Sequence, residues 1–292
     1  MNLRATNGEL LLIGTLHRPE GEPRATVLMV PGSGPTDRDN DVYFPAIRAG
    51  LLDRNIAPAS FDKRGVGGSS GDWRDTGPAE QAADVAAQLR CLRETPGIDP
   101  ARVGLFGHSQ GGWVVLETAA ADPSVAFVIT NSGPSVTMAR QERFATEAHM
   151  TDAGAPAEAV VSALATQDAL VALVRGGADF ETVQALAGED GQGPRDAAEL
   201  DLVRRWLDHD PRPALERLVC PLLAIFGGED LVVPVEESIA IFRAARADRP
   251  GDLDVQTLPG CNHRLQSGDP PTLHPAYAAT LGDWIIRQVS PD

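Results

Sequence analysis

A serine at position 109 stands in the sequence setting of a nucleophile. The pentapeptide Gly107-His108-Ser109-Gln110-Gly111 matches the pattern G-x-S-x-G, in which glycines flank a serine because the turn is too tight for side chains. The apolar run Val103 to Phe106 precedes it, and the helical run Gly112 to Ala121 follows it. A strand, turn and helix in this order lift the serine hydroxyl out at the carboxyl end of a sheet. We therefore predict that Ser109 is accessible and acts as a nucleophile.

A serine hydroxyl is a weak nucleophile at neutral pH, so it needs a histidine base that a carboxylate orients. With this motif the chain order is serine, acid, histidine. The apolar run Leu222 to Phe226 leads into a loop that holds Glu229 and Asp230. His263 follows in a tight loop after the last apolar run. We predict Asp230 as the acid, with Glu229 as the alternative, and His263 as the base. The other histidines are out of order or fit a helix start better: His17, His108, His149, His209 and His274.

Acyl transfer also needs two hydrogen-bond donors aimed at the oxyanion that develops on the substrate. The backbone N–H of Gln110, directly after the nucleophile, is predicted to be the first donor. The second is expected in the loop Pro31 to Pro35, which follows the apolar run Val27 to Val30 and carries glycines that let a backbone amide approach a ligand. We predict the N–H of Ser33, with that of Gly34 as the alternative. A plain turn that closes a strand is the competing interpretation of this loop.

The elements that must position these residues alternate along the chain. Short apolar runs end in Gly, Pro or Asp, as strands do. Between most of them, apolar residues recur three and four positions apart, as on one face of a helix. This alternation predicts an α/β fold with a mostly parallel central sheet flanked by helices. The strand candidates are Leu10 to Leu16, Ala25 to Pro31, Ala57 to Phe61, Val103 to Phe106, Val125 to Thr130, Leu222 to Phe226 and Leu253 to Leu258.

The alternation fails between residues 138 and 213, where alanine-rich helical segments occur without a convincing strand. We predict an inserted helical block over residues 138–213 and a core built from residues 1–137 and 214–292. The length of 292 residues is compatible with one domain that carries an insertion, or with two domains.

Composition and charge exclude several classes of function. The formal net charge of −16 repels polyanions, so neither nucleic acid nor an acidic membrane is expected as a partner. The uninterrupted apolar stretches are far shorter than the roughly 18 to 20 residues of a membrane span. No secretion signal is recognised at the start, so a cytoplasmic location is expected. The three cysteines are scattered, with no pair at metal-ligand spacing, so we predict reduced thiols and neither metal nor cofactor.

Beyond the serine, acid and histidine, three further segments carry a family resemblance. Together they make the chain similar to the α/β-hydrolase superfamily, and within it to bacterial serine esterases related to dienelactone hydrolases and acyl-CoA thioesterase-like proteins. The resemblance implies an eight-stranded sheet with the active site at its carboxyl end, a helical lid inserted after the sixth strand, and hydrolysis through an acyl-enzyme. Residues 138–213 match such a lid. The segments are Pro31 to Asp39, Phe61 to Gly71, and Cys220-Pro221.

The chain departs from these relatives at the nucleophile and at the start of the oxyanion loop. Dienelactone hydrolases use a cysteine where this chain has Ser109, which argues against dienelactone. Many esterases begin the oxyanion loop with His-Gly, whereas this loop begins with Pro31-Gly32.

The leading prediction is therefore a serine carboxylesterase that acts on a small-molecule acyl ester. Hydrolysis of acyl-CoA thioesters and removal of the N-terminal residue of small peptides are the enzymatic alternatives, and a ligand receptor on the same fold is the non-enzymatic one. No pattern indicates an oligomeric state. The residues predicted to line the substrate pocket are Gly34, Phe144, Met150 and Trp206. A set of charged residues near the glycine turns is predicted to pair internally and hold loops: Asp37, Arg38, Asp39, Asp62, Lys63 and Arg64.

Overall fold

A twisted sheet of eight strands forms the centre of the computed structural model, which describes residues 1–188 and 193–290. The strands are β1 (Asn2–Asn7), β2 (Leu10–Leu16), β3 (Ala25–Val30), β4 (Ile56–Phe61), β5 (Val103–His108), β6 (Val128–Asn131), β7 (Leu222–Gly227), β8 (Leu253–Leu258), β9 (Gln266–Ser267) and β10 (Thr272–Leu273). Their order in the sheet is β1-β2-β4-β3-β5-β6-β7-β8, and β9 and β10 form a separate small hairpin. Pairing is parallel from β4 to β8, and β2 runs antiparallel to both of its neighbours.

The predicted α/β class with a mostly parallel sheet is confirmed. Strands β3, β4, β5 and β7 are buried along their whole length, which explains why their sequences read as continuous apolar runs. Strand β1 was not among the predicted strands because only Leu3 and Ala5 face the core, and its remaining residues are polar. Strands β9 and β10 were not predicted either, since two residues each are too few to show a period.

Helices cover both faces of the sheet. The helices are α1 (Phe44–Leu52), α2 (Pro78–Arg93), α3 (Gln110–Ala121), α4 (Met138–Asp152), α5 (Ala157–Arg175), α6 (Phe180–Ala187), α7 (Ala197–Trp206), α8 (Arg212–Arg217), α9 (Val235–Ala245) and α10 (Tyr277–Val289). Helices α1 and α10 pack in one apolar core, and α2, α3, α8 and α9 pack in the other. This layered arrangement leaves the carboxyl edge of the parallel strands open for a site.

The segment between β6 and β7 contains α4 to α8 and, in its described residues, no strand. It has a small apolar core of its own, formed by Val174, Val183, Leu200 and Leu207. The predicted boundary between residues 213 and 214 falls inside α8, whose Ala214 and Leu215 belong to the main core. Helix α8 therefore joins the inserted helices to the sheet.

Among the described helices, α5 has the length and apolar composition that a membrane-crossing helix would need. Most of its surface is exposed, with Leu164 and Val174 as its buried residues. It also carries Glu158, Asp168 and Arg175, and it packs against α4 and α6. We therefore describe α5 as a helix of the inserted segment.

Candidate active site

Ser109 occupies the sharp turn between β5 and α3. Its backbone φ of 52° and ψ of −123° lie in a strained region that residues with side chains rarely adopt. The flanking glycines are required by close packing: a Cβ on Gly107 would lie 2.2 Å from the carbonyl oxygen of Gly111, and one on Gly111 would lie 2.5 Å from that of Val30. The Ser109 N–H donates to the Asn131 carbonyl at 3.0 Å. The main chain thus holds the serine at the carboxyl edge of the sheet, half-buried.

Asp230 and His263 meet at the same edge, after β7 and β8 respectively. The distance from His263 Nδ1 to Asp230 Oδ2 is 2.8 Å. The other carboxylate oxygen accepts the backbone N–H groups of Val232 at 2.8 Å and Val233 at 3.0 Å. The Asp230 side chain is fully buried, whereas 17% of the His263 side chain is exposed. The carboxylate is therefore held by the main chain and directed at the imidazole.

Glu229, the alternative acid, is placed differently. Its backbone N–H donates to the Cys261 carbonyl at 2.8 Å, and the residue is exposed. Within the described residues its carboxylate forms no hydrogen bond with His263. The structure brings Asp230, not Glu229, to the histidine.

The imidazole of His263 lies next to the turn that carries Ser109. Its ring centroid is 5.1 Å from that of His108, the residue before the serine. With Nδ1 bonded to Asp230, Nε2 is the nitrogen left to contact a hydroxyl. In the described part of the chain, Ser109 Oγ forms no hydrogen bond with His263. Such bonds are often long without substrate and tighten when it binds.

A buried polar network around His108, whose ring neighbours His263, was not predicted from the sequence. Asn131, at the end of β6, places its Nδ2 3.0 Å from His108 Nδ1 and 3.1 Å from the hydroxyl of Tyr43. Its Oδ1 accepts the hydroxyl of Tyr277 at 2.7 Å. Burial lowers the pKa of His108 well below its usual value, so this imidazole stays neutral beside His263. The available sequence signal was the position of Asn131 at the carboxyl end of the strand next to β5.

The loop from Pro31 to Pro35 packs directly on the serine turn. A Cβ on Gly32 would lie 3.4 Å from the Cβ of Ser109. Among the described residues, the backbone N–H groups of Ser33 and Gln110 donate to no acceptor. Two unpaired amides beside a nucleophile can receive an anion. The N–H of Gly34, the alternative donor, likewise donates to no acceptor among the described residues, while its carbonyl accepts the Thr36 N–H at 2.9 Å.

The predicted internal pairing of charged residues holds for Arg38 and Asp62, which form a two-pronged ion pair with distances of 2.9 and 2.5 Å. Burial alone would raise the pKa of Asp62, but the Arg38 hydrogen bonds bring it below its usual value. Two members pair outside the predicted set: Asp39 with Arg48, and Arg64 with Asp84.

Asp37 and Lys63 complete that set. An oxygen of Asp37 accepts the backbone N–H of Asp39 at 2.9 Å. Lys63 has no carboxylate partner in the described part of the chain; its Nζ donates to the carbonyl of Gly32 and, at 3.2 Å, to Oε1 of Gln110.

The predicted pocket residues of the inserted segment occupy two kinds of position. Trp206 is 1% exposed and belongs to the main core, where its indole N–H donates to the Thr76 carbonyl at 2.9 Å. Its ring stacks on Trp113 of α3 at 5.9 Å between centroids. Phe144 and Met150 on α4 are half-buried. Trp206 thus anchors the inserted helices to the core, whereas the other two retain exposed surface.

Within residues 1–188 and 193–290, no group of three or more His, Cys, Asp or Glu side chains is arranged to hold a metal ion. The groups present can supply a nucleophile, a base with its orienting acid, and two oxyanion donors.

Comparison with known proteins shows the family and the fold. The sequence model of the alpha/beta hydrolase family matches residues 27–279. An uncharacterized 31.7 kDa protein encoded in the traX-finO intergenic region of Escherichia coli is 25% identical over 214 residues, which cover 70% of this chain and 73% of that protein.

Two solved structures show the same fold. An esterase of Pyrococcus furiosus superposes with a TM-score of 0.68 at 17% identity, covering 99% of this chain and 91% of its own. The proline iminopeptidase of Mycobacterium smegmatis superposes with a TM-score of 0.64 at 17% identity, covering 99% of both chains. At such identities the likeness concerns the fold alone. Because the family match extends over most of the sequence, the chain belongs to the α/β-hydrolase family.

Proposed function

We propose that this protein is a serine hydrolase that cleaves carboxylic esters through an acyl-enzyme. The observation that carries the proposal is the hydrogen bond of 2.8 Å between His263 and the buried Asp230, at the sheet edge where Ser109 stands on its strained turn. The proposed nucleophile, acid and base follow three different strands, β5, β7 and β8, whose carboxyl ends lie at one edge of the sheet.

The first half of the reaction forms the acyl-enzyme. Ser109 Oγ attacks the ester carbonyl carbon while His263 Nε2 takes the hydroxyl proton. The carbonyl oxygen becomes an oxyanion, which accepts hydrogen bonds from the amides of Ser33 and Gln110. The carbon–oxygen bond to the alcohol then breaks, and His263 returns the proton to the leaving alcohol.

The second half frees the enzyme. A water molecule gives a proton to His263 and attacks the acyl carbon, and the same two amides hold the second oxyanion. The bond to Ser109 breaks, the proton returns to Oγ, and the carboxylic acid leaves. Throughout, Asp230 keeps the proton of the neutral imidazole on Nδ1, so that Nε2 can accept one.

An ester is favoured over the two alternative substrates. The net charge of −16 disfavours the approach of an anionic coenzyme-A thioester. Removal of an N-terminal residue needs an acidic subsite for the α-ammonium group, and the catalytic residues supply none, because both oxygens of Asp230 are already bonded.

A panel of three substrate classes tests the proposal. We expect p-nitrophenyl esters to be hydrolysed with a kcat/KM at least about tenfold above that for an acyl-CoA of the same chain length. An aminoacyl p-nitroanilide should be cleaved still more slowly. Initial rates on purified protein, with released p-nitrophenol, free thiol and p-nitroaniline as readouts, compare the three directly.

If the protein prefers the thioester or the anilide, the proposed function changes to a thioesterase or an aminopeptidase, respectively. Absence of turnover on all three, with the protein folded, would favour a ligand receptor instead.

The inserted helices are proposed to select the acyl chain through Phe144 and Met150. On this proposal an alanine at either position enlarges the acyl pocket, so at least one variant should prefer a longer acyl group. The discrimination gained is roughly 1 to 3 kcal/mol, read from kcat/KM across the ester series. Equal changes on every ester would contradict the assignment.

Trp206→Ala is the matched control for these variants, because the Trp206 ring is buried and packs on Trp113. It should lower the free energy of unfolding by about 3 to 5 kcal/mol and leave the order of preferred esters unchanged.

A further inference from the structure

Lys63 stands apart from every other cationic residue of the chain. Of the 25 lysine and arginine residues, it is the only lysine. Its neighbours in sequence are engaged in ion pairs, Asp62 with Arg38 and Arg64 with Asp84, while the described structure gives Lys63 no carboxylate. An ammonium group carries three donors on one atom, so Nζ can bond two oxygen acceptors at once. Because Lys63 has no carboxylate partner among the described residues, its role follows from the oxygen atoms that it contacts.

The first contact of Lys63 sets the orientation of one peptide unit. Its Nζ donates to the carbonyl of Gly32. That carbonyl and the N–H of Ser33 belong to the same planar trans peptide, so the two groups point in opposite directions. With the carbonyl turned to Lys63, the Ser33 N–H points away from it, and the described residues offer this N–H no acceptor. Rotation of this peptide would exchange the donor for a carbonyl oxygen.

The second contact connects the loop to the serine turn. Lys63 Nζ also donates to Oε1 of Gln110 at 3.2 Å. Gln110 supplies the other unpaired amide beside Ser109. One amine therefore bridges the two segments that carry the two amides.

Two further bonds hold the loop, and the weaker of them reaches the same Gly32 carbonyl as Lys63. The Gly32 N–H donates to Asn40 Oδ1 at 3.2 Å. The hydroxyl of Thr36 reaches the Gly32 carbonyl at 3.4 Å, near the limit of a hydrogen bond.

The surroundings of Lys63 strengthen these contacts. Next to it lies a small cavity whose walls include Leu12, Val30 and Phe61. Burial lowers the pKa of Lys63 to about 7, and the amine keeps N–H donors in both protonation states. Hydrogen bonds are stronger in such a partly buried setting than in water.

We propose that Lys63 is a positioning residue of the oxyanion site, which holds the Gly32–Ser33 peptide with its carbonyl turned away from the substrate so that the Ser33 N–H is presented to the oxyanion. The inference rests on the proposed serine hydrolase function. It concerns the transition state, because the oxyanion exists there and not in the bound ester.

Lys63→Met removes the donor and keeps a long apolar side chain. We expect kcat on a p-nitrophenyl ester to fall about 10- to 100-fold, less than the loss of a whole oxyanion donor. KM should stay within about twofold, since ground-state binding is untouched. A trifluoromethyl ketone, which forms an oxyanion adduct with the serine, should bind more weakly by about the same factor as kcat falls.

Chemical rescue separates positioning from a general structural role. Lys63→Cys treated with 2-bromoethylamine forms a carbon–sulfur bond with loss of bromide and yields a close isostere of lysine. We expect treatment to restore most of kcat, while wild-type protein given the same treatment controls for reaction at Cys91, the half-buried cysteine. The cysteine variant also serves should Lys63→Met fail to fold.

Arg93→Met is the matched control for loss of a partly buried cation. Arg93 pairs with Asp122 at 2.6 Å, at the far end of α2 and α3 from the serine. It should lower the melting temperature and leave kcat unchanged.

Three results would overturn the inference: full kcat in Lys63→Met, a kcat loss that aminoethylation does not restore, or an equal kcat loss in Arg93→Met. Activity that survives in Ser109→Ala would instead overturn the proposed function. The two failures are therefore distinguishable.

Discussion

Replacing Ser109 by alanine is expected to lower kcat on any ester that the protein hydrolyses by about 10⁵- to 10⁶-fold. The hydroxyl is the attacking group, and without it His263 has no serine proton to accept. The residual rate would come from the two amides and from substrate binding alone. Steady-state hydrolysis of a p-nitrophenyl ester measures the loss.

The fold should survive this substitution. The described hydrogen bonds of Ser109 are made by its main chain, to the Asn131 carbonyl and from the Gly112 N–H. Alanine meets the same strain at a φ of 52° as serine does. The melting temperature should therefore change little. A variant that keeps more than about a tenth of wild-type turnover would rule out Ser109 as the nucleophile.

Asp230→Asn should cost about 10⁴-fold in kcat. The asparagine oxygen can still accept the Val232 and Val233 amides, which turns its NH₂ group toward His263. The imidazole must then carry its proton on Nε2, where it cannot accept the proton of Ser109. The measurement is kcat at a pH where the wild-type rate is constant.

Glu229→Gln is the matched control, since it makes the same chemical change one residue earlier on an exposed side chain. We expect a change in kcat of less than about twofold, as for other surface substitutions. If Glu229→Gln were severely impaired and Asp230→Asn nearly unaffected, the acid would be Glu229.

Local sequence patterns predicted the serine turn and the buried strands, because in both cases the backbone conformation restricts which residue types can occur. The glycines around Ser109 are needed where main-chain atoms nearly touch, and that constraint is visible in five residues. Continuous apolar runs identified the buried strands, since a parallel sheet covered on both faces leaves no polar side. Strand β1 was not predicted, because only two of its residues alternate into the core.

The sequence alone could not decide between neighbouring residues of the same type, because it does not show in which direction each side chain points. Glu229 and Asp230 are equivalent as carboxylates, and the main chain after β7 turns one outward and the other inward. The orientation of Trp206 could not be predicted either. The spacing of apolar residues in α7 shows that the helix has an apolar side, but not which surface that side contacts. The tertiary packing places it on Trp113.

The sequence by itself therefore determined the α/β class, the sharp turn at Ser109 and the family, because short apolar runs, helical spacing and motifs can each be read without knowing which distant residues meet. Only the tertiary structure decided which carboxylate meets His263, that Asn131 joins His108 and two tyrosines in a buried network, and that Lys63 bridges the loop and the turn beside the serine. These contacts join residues far apart in the chain. Their geometry arises from how the parallel strands from β4 to β8 align their carboxyl ends, which no local pattern records.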